Sequence, residues 1–591
     1  MSTETSRGER ALKALRPVRV FHPMLLALIP LCGLYAQNAG LLTISALIRP
    51  AAALITISLV LWVAFSVLRG NRYHGGLLAS ALIVPCFVLW GVLEDFIRGI
   101  IPIMSATPRG TFYALFGVFA LAVIGFVSYR YAKDTVALRR AVVLSAVALV
   151  VTLLVATFVL APIFGRRAAW LITAYLMAVV AGLWFAWRYD GDCKIATRSM
   201  NWFALILLAL YGAVLVVNRT PQPDLAPRPL AVAPASTDDT SPDIYVLALD
   251  GYASSDVLRT AYAYNNLAFE EEMKSLGFEI ATQSRANYPQ AELSLASMLN
   301  MDYLPELLAS DSERESAGMQ HVFALFHNNR VFSIARERGY DVMAFSPGLE
   351  SLEPRAEDVT VLTPPGVLGE FEMVLIDRTI ASRIIQAGYY LRYNNPAYWR
   401  YAFRRERILY MFDELPRLAR VESAKPRLVF ATMLVPEPPY LFTRDGGRAQ
   451  PFGPGSLAND RMFRGRESEY QEAYLDQVHF VNQKLAEAAR LIIESSKRPV
   501  AILILSSRGA PPALTRQPDA TVERYRNLLM ARFPQPATDP ANAFRDDLSL
   551  VNVFPLTMNR LFGAGLPLRP DVTYTVAENR PFVSQQADAQ P

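Results

Sequence analysis

The chain has 591 residues, of which 52% are hydrophobic and 19% charged, and its mean hydropathy is +0.21. These values are too apolar for an ordinary soluble protein, and the charge is too sparse for a disordered one. Three cysteines cannot build a disulfide framework, and five histidines leave little material for a histidine-rich metal enzyme.

Basic and acidic residues are unevenly divided along the chain. Residues 1–218 hold 19 Lys and Arg against 7 Asp and Glu, whereas residues 219–591 hold 39 against 46. The positive charge therefore belongs to the apolar half, where basic residues orient membrane segments. Since no basic patch with interleaved aromatic residues occurs, we expect no nucleic-acid partner.

Residues 1–218 are predicted to form a transmembrane domain, which makes the lipid bilayer a partner. Apolar runs of about membrane-spanning length occur seven times, at 21–37, 51–68, 75–93, 112–129, 141–163, 168–187 and 200–217. With the N-terminus inside the cell, the inner segments hold 14 Lys and Arg and the outer loops hold 5. This asymmetry follows the positive-inside rule and places the chain after Asn218 outside the cytoplasm.

A linker and a second domain follow. Residues 219–242 contain six prolines and show no apolar periodicity, which is typical of an extended spacer. Residues 243–591 alternate short apolar runs with helical patterns, which predicts an α/β domain with a mostly parallel central sheet. Three runs have the continuous apolar character of buried parallel strands: Asp243–Asp250, Arg427–Val435 and Pro499–Ser506.

The carboxyl ends of these three runs are the place to search for a functional site, because ligands of open α/β sheets bind beyond the carboxyl ends of the strands. The three ends read Asp250-Gly251, Val435-Pro436-Glu437-Pro438-Pro439 and Ser506-Ser507-Arg508-Gly509. None of them contains a histidine.

At these strand ends the sequence resembles a known family. The segments that carry the resemblance are PDIYVLALDGYASSDVL, SRANYPQAELSLASMLNMDYL, FHNNRVFSIARERGYDVMAFSPG, LVFATMLVPEPPYLFTRDG, YLDQVHFVNQKL and AILILSSRGAPP. They are similar to bacterial membrane-anchored sulfatase-like proteins of the alkaline phosphatase superfamily, in the branch of lipoteichoic acid synthases and phosphoethanolamine transferases. The resemblance implies that fold, an inner-membrane location and a periplasmic second domain.

Active members of this superfamily hold divalent metal with carboxylates and histidines, and a Thr or Ser attacks phosphorus or sulfur. By resemblance the first metal carboxylate falls on Asp250, which is present. The other expected positions have changed: the nucleophile falls on Ala291, two metal-binding histidines fall on Thr432 and Glu437, and an Asp-His pair falls on Ser507 and Arg508. Alanine has no hydroxyl, and a guanidinium puts a permanent charge where a cation would bind.

We therefore expect Arg508 to pair with Asp250, and we expect no cofactor. The retained Gly251, Pro436, Pro438, Pro439 and Gly509 fit a backbone role. The candidate residues for a ligand cleft are Asp250, Asn287, Tyr288, Glu437, Asp445 and Arg508.

Three functions remain open from the sequence. One is a catalytically degenerate protein that binds or regulates an envelope lipid or glycan. Another is an active hydrolase or transferase with a relocated site, in which carboxylates with Ser507 hold Mn, Mg or Zn and Ser284, Ser294 or Ser297 supplies a hydroxyl. The last is a structural partner of envelope proteins in polysaccharide synthesis or export.

Overall fold

The computed structural model describes twelve stretches of the chain. They are residues 19–38, 42, 44–91, 166–189, 191–217, 241–355, 358–393, 398–449, 467–510, 520–537, 539–577 and 580–587. The chain divides into two compact units: Met1–Arg219 with Glu372–Pro396, and Thr220–Phe371 with Ala397–Pro591. The segment 372–396, which the sequence places within the second domain, thus belongs to the first unit.

The first unit contains apolar helices. From the N-terminus these are α1 (His22–Gln37), α2 (Ser45–Arg69), α3 (Arg72–Ile83, continued by a π-helical turn Val84–Leu89), α4 (Arg166–Trp187) and α5 (Cys193–Val217). Among the described residues, three helices are long and apolar enough to cross a membrane, namely Ser45–Arg69, Arg72–Leu89 and Cys193–Val217. Two shorter apolar helices are His22–Gln37 and Tyr175–Trp187.

Within the described residues three helices reach membrane length, against seven predicted spans in the whole chain. The two shorter helices match the first and sixth predicted spans. The predicted spans at 112–129 and 141–163 lie outside the described residues.

Local sequence explains how the apolar helices are joined. Gly70 ends α2 in the left-handed conformation, with φ of 60°, which glycine adopts without steric cost. The side chain of Asn71 then caps α3 by accepting hydrogen bonds from the backbone N–H groups of Tyr73 (2.9 Å) and His74 (3.3 Å). On α5, Asn201 accepts the backbone N–H of His22 at 3.0 Å and so ties α5 to the start of α1.

The second unit is an α/β domain. Up to residue 345 its elements are β1 (Asp243–Asp250), α6 (Ser255–Tyr262), α7 (Leu267–Ser275), β2 (Glu279–Ile280), α8 (Ala291–Asn300), α9 (Asp311–Ser316), α10 (Met319–His327), α11 (Arg330–Glu337) and β3 (Asp341–Phe345). Next come β4 (Val359–Leu362) and the start of α12 (Glu370–Asp377), whereas the rest of α12 and all of α13 (Ala381–Tyr393) belong to the first unit. The remaining elements are α14 (Tyr398–Arg420), β5 (Arg427–Pro436), α15 (Glu467–Ser495), β6 (Val500–Ser506), α16 (Ala520–Tyr525), β7 (Leu529–Arg532), α17 (Val553–Phe562), β8 (Tyr574–Ala577) and β9 (Arg580–Gln586).

The main sheet has seven strands in the order β2-β7-β6-β1-β5-β3-β4. The strands β6, β1, β5, β3 and β4 are parallel, while β7 runs antiparallel to both β6 and β2. This confirms the expected α/β domain with a mostly parallel sheet. The strand β1 lies between β5 and β6, so the three apolar runs singled out in the sequence are neighbours.

Both faces of the sheet are buried, which explains why β1 is a continuous apolar run. Successive side chains of a strand point to opposite faces. On one face Tyr245, Leu247 and Leu249 join a core with residues of α6, α7, α14 and α15. On the other face Ile244, Val246 and Ala248 join a core with residues of α8, α11 and α17.

Candidate functional site at the carboxyl ends of three strands

The strand order brings the carboxyl ends of β1, β5 and β6 together. Parallel pairing aligns Asp250 with Pro436 of β5 and Leu249 with Ser506 of β6. The backbone N–H of Glu437 donates to the carbonyl of Asp250 at 2.9 Å, and that of Ser507 donates to the carbonyl of Leu249 at 2.8 Å. The residues just after the strands are therefore held side by side.

The centre of this site is the guanidinium of Arg508. Its Nε donates to Oδ1 of Asp250 at 2.8 Å, and one Nη donates to Oδ2 of the same carboxylate at 3.1 Å. The same Nη lies 2.9 Å from Oε1 of Glu437. The expected pairing of Arg508 with Asp250 is present, and the arginine also joins Asp250 to Glu437.

The two serines before Arg508 complete the cluster. The hydroxyl of Ser507 donates to Oδ1 of Asp250 at 2.8 Å. The hydroxyl of Ser506 donates to the carbonyl of Arg508 at 2.7 Å and accepts the backbone N–H of Tyr252 at 2.9 Å. Both serines are buried, so their hydroxyls fix the loops that follow β1 and β6.

Two glycines allow these loops to approach closely. At Gly251, where φ is 80°, an added Cβ would lie 2.6 Å from Oε2 of Glu437. At Gly509 an added Cβ would lie 2.0 Å from the carbonyl oxygen of Glu523 and 2.5 Å from that of Arg526. Gly251 and Gly509 therefore have a backbone role, since a side chain at either position would collide with the neighbouring loop.

The long helix α15 fixes the loops from the outside. The hydroxyl of Tyr474 donates to the carbonyl of Gly251 at 3.0 Å and accepts the N–H of Ala253 at 3.1 Å. Gln477 donates to the carbonyl of Pro436 at 3.0 Å and accepts the N–H of Leu441 at 2.7 Å. Both side chains are buried and lie one helical turn apart, which orders the strand ends.

A second arginine, which the sequence did not single out, lies beside the cluster. Arg404 of α14 donates to the carbonyls of Leu434 (2.5 and 3.1 Å) and Pro438 (3.2 Å). Burial raises the pKa values of Asp250 and Glu437, and the positive charge of Arg404 opposes this effect by favouring the ionised form of each carboxyl. Arg404 thus supplies a further positive charge and holds the loop after β5.

The pKa values of the two carboxyls in the cluster are shifted in opposite directions. Burial opposes the ionisation of Asp250, but the charge of Arg508 and its hydrogen bonds outweigh burial and hold the pKa of Asp250 below its ordinary value. Burial raises the pKa of Glu437 to about 7, since Arg508 offsets only part of the effect and Asp250 repels the second negative charge. Among the described residues Oε2 of Glu437 is buried without a hydrogen-bond partner, so no donor stabilises the charge on this oxygen, in agreement with the raised pKa.

The cluster does not fit a divalent cation of the kind that the sequence resemblance implies. Both oxygens of Asp250 and one oxygen of Glu437 are engaged by Arg508, whose charge is permanent. Within the described part of the chain, no group of three His, Cys, Asp or Glu is placed to hold a metal ion. A cation at Asp250 would have to displace the guanidinium and lie beside its charge.

Ala291 lies at the edge of the cluster, and Thr432 lies within a strand. Ala291 is the first residue of α8 and is buried. The next residue, Glu292, is within electrostatic range of Asp250 and Arg508. Thr432 is buried inside β5 and pairs with Ala248, two register positions before Asp250.

Asn287 and Tyr288 form internal hydrogen bonds. The Asn287 side chain donates to the carbonyl of Val572 at 2.9 Å and accepts the N–H of Val551 at 2.8 Å. The hydroxyl of Tyr288 accepts the N–H of Leu304 at 2.9 Å. Since both side chains are fully buried, they hold the loop before α8 rather than face a cleft.

Asp445 lies in an exposed turn. It accepts a hydrogen bond from the hydroxyl of Thr443, at 2.5 Å, and from the N–H of Gly447, at 3.3 Å. These hydrogen bonds hold the pKa of Asp445 below its ordinary value. The side chain of Asp445 therefore stabilises the turn.

No family model matches the sequence, and no curated protein matches it. Similar solved structures include the C-terminal periplasmic domain of EcEptC from Escherichia coli, with 12% identity over 62% of this chain and 98% of that chain and a TM-score of 0.36. Another is the soluble domain of lipooligosaccharide phosphoethanolamine transferase A from Neisseria meningitidis, with 11% identity over 56% and 89% and a TM-score of 0.35.

A phosphonate monoester hydrolase of Agrobacterium radiobacter is also similar, with 13% identity over 56% of this chain and 79% of that chain and a TM-score of 0.35. The activities in these names are those of the similar proteins.

We predict that the stability of the protein depends on Glu437 between pH 4.5 and 7. The folded state binds the extra proton in this window, because the pKa of Glu437 is raised from 4.5 to about 7. The contribution of Glu437 to the free energy of unfolding should therefore fall by about 1–3 kcal/mol as the pH rises through the window. Glu437→Gln should lack this contribution, so its free energy of unfolding relative to the wild type should rise with pH by that amount, measured as urea midpoints at several pH values.

The exposed Glu494 on α15 provides the matched control. Glu494→Gln removes the same charge and should keep the slope of the wild type. If Glu437→Gln and Glu494→Gln showed equal slopes, the assignment of a raised pKa to Glu437 would be wrong.

Gly509→Ala should destabilise the protein by about 2 kcal/mol or more, because the added methyl group meets two backbone carbonyls that cannot yield easily. Gly369→Ala is the control, since the nearest atom to its added Cβ is 4.0 Å away. Thermal unfolding should show a lower midpoint for Gly509→Ala alone. Equal midpoints for the two variants would contradict the close approach at Gly509.

Proposed function

We propose that this protein is a catalytically degenerate, multi-pass protein of the bacterial inner membrane whose periplasmic domain binds or regulates an envelope lipid or glycan. The observation that carries the proposal is the ion-pair cluster of Arg508 with Asp250 and Glu437. An arginine stands where the superfamily fold would hold a cation, and the position of the nucleophile is an alanine. The scaffold of the site is kept without the groups that perform the chemistry.

A relocated nucleophile receives no support from the three serines that were open candidates. Ser284 donates to Oδ1 of Asn527 at 2.9 Å, Ser294 donates to the carbonyl of Tyr288 at 2.9 Å, and Ser297 donates to that of Asp302 at 2.7 Å. All three are fully buried. Their hydroxyls are occupied by hydrogen bonds within the fold, so the structural role outweighs the catalytic one.

A polar cleft in the second unit supports a binding role. The cleft has a volume of about 820 Å³, and its lining includes the basic Arg259 and Arg526, the acidic Asp256 and Glu270, and the polar Tyr264, Asn265 and Gln283. The carbonyl of Arg526 also packs against Gly509, so the cleft and the ion-pair cluster share one loop. Guanidinium and amide groups beside an aromatic ring suit a polar headgroup or a sugar.

The proposal predicts well below one equivalent of Mn, Zn or Mg in the purified full-length protein, measured by elemental analysis. With each metal added, hydrolysis of nitrophenyl phosphodiesters and sulfate esters should stay at the rate of Asp250→Asn, because Arg508 occupies the carboxylates. One metal per wild-type chain that is lost in Asp250→Asn, or turnover that depends on Asp250, would contradict the degenerate site.

A further inference from the structure

The helical segment between β4 and α14 belongs to the membrane unit. The chain leaves the second unit at Phe371 and returns to it at Ala397, and the residues between pack with the apolar helices of the first unit. This segment carries most of α12 and all of α13. These residues are thus an insertion in the α/β domain that packs with the apolar helices.

Three contacts join this segment to α2 and to the C-terminal end of α3. Nε of Arg49 on α2 lies 3.3 Å from Oε1 of Glu372. The backbone N–H of Ile380 donates to the carbonyl of Cys86, in the turn that continues α3, at 2.9 Å. An added Cβ at Gly91 would lie 3.0 Å from Cδ of Arg378.

The distribution of basic residues shows which membrane surface this is. The rule that places Lys and Arg inside the cell assigns residues 38–50 and 94–111 to outer loops. Arg49 directly precedes the span 51–68 on its outer side. Cys86 lies three residues before the outer end of the apolar helix Arg72–Leu89, and Gly91 follows that end. Both anchors of the segment therefore mark the extracytoplasmic boundary of the bilayer.

The composition of α13 suits that boundary. Ile384, Gly388 and Leu391 are spaced i, i+4 and i+7, which places them on one face of the helix. This face is exposed, and Ile384 and Leu391 have 69% and 82% of their surface accessible. The helix has no acidic residue and two arginines, and its C-terminal part holds three tyrosines at 389, 390 and 393.

We propose that α13 lies in the plane of the outer membrane–water interface, with Ile384 and Leu391 inserted among the acyl chains of the lipids. The chemistry is that of interfacial helices, in which an apolar face enters the acyl boundary while basic and aromatic residues lie among the headgroups. Arg392 stacks on Tyr393 with its guanidinium carbon 5.2 Å from the ring centroid. This lipid contact is independent of the ion-pair cluster and of any activity.

Site-specific fluorescence of the full-length protein in phospholipid vesicles tests the proposal. The native cysteines Cys32, Cys86 and Cys193 are first replaced by alanine, and an NBD label is placed at Ile384→Cys or Leu391→Cys. Both sites are exposed, so the label leaves the packing intact. The control is Val421→Cys, an apolar position of the second unit that is 60% exposed.

Labels at 384 and 391 should emit at shorter wavelength than the label at 421, and lipids that carry a doxyl group near the headgroup should quench them. The label at 421 should remain unquenched. If lipid quenching at 384 and 391 equals that at 421, the proposal is overturned. Blue-shifted emission without lipid quenching would also overturn it, because it would assign the face to a protein partner or a second copy of the chain.

Discussion

Two carboxyl groups at the ends of neighbouring parallel strands require a positive charge between them. Burial removes the solvation of each carboxylate, and their mutual repulsion grows in a low-dielectric surrounding. In this fold β1 and β5 place Asp250 and Glu437 side by side, and β6 delivers Arg508 to the gap. The raised pKa of Glu437, set against the lowered pKa of Asp250, shows that one arginine balances one carboxylate fully and the other only in part.

The surrounding structure is built to keep these three strand ends in register. Ser506 and Ser507 fasten the loop after β6, while Tyr474 and Gln477 of α15 fasten the loops after β1 and β5. Such a frame has the precision that a catalytic site requires. The frame surrounds an arginine, a permanent cation that no chelator removes and no pH near neutrality discharges.

Sequence alone predicted the parts of the fold that have a strong local signal. The strands β1, β5 and β6 are continuous apolar runs because both sheet faces are covered, and the helices 398–420 and 467–495 are long. The short strands β4 and β7 carry no such pattern, since four residues are too few to show a period. The assignment of residues 372–396 to the unit of the apolar helices was missed, because it depends on contacts with residues far away in the sequence.

The candidate site could be predicted only in part. The pairing of Asp250 with Arg508 follows from strand ends that meet, whereas Arg404 lies in a basic helix where nothing local distinguishes it from its neighbours. Asn287 and Tyr288 stood in a recognisable motif, yet their polar atoms bond to segments more than ten residues away. A motif therefore located the loop, but the tertiary partners decided what its side chains do.

A double-mutant cycle on Asp250 and Arg508 tests the central claim most directly. Removal of one partner strands a buried charge, so Asp250→Ala and Arg508→Ala should each destabilise the protein, whereas the double variant should lose much less than the sum. The predicted coupling free energy is about 2 kcal/mol or more, measured by urea unfolding of the full-length protein at neutral pH. Additive effects of the two substitutions would contradict an arginine that holds the strand ends together.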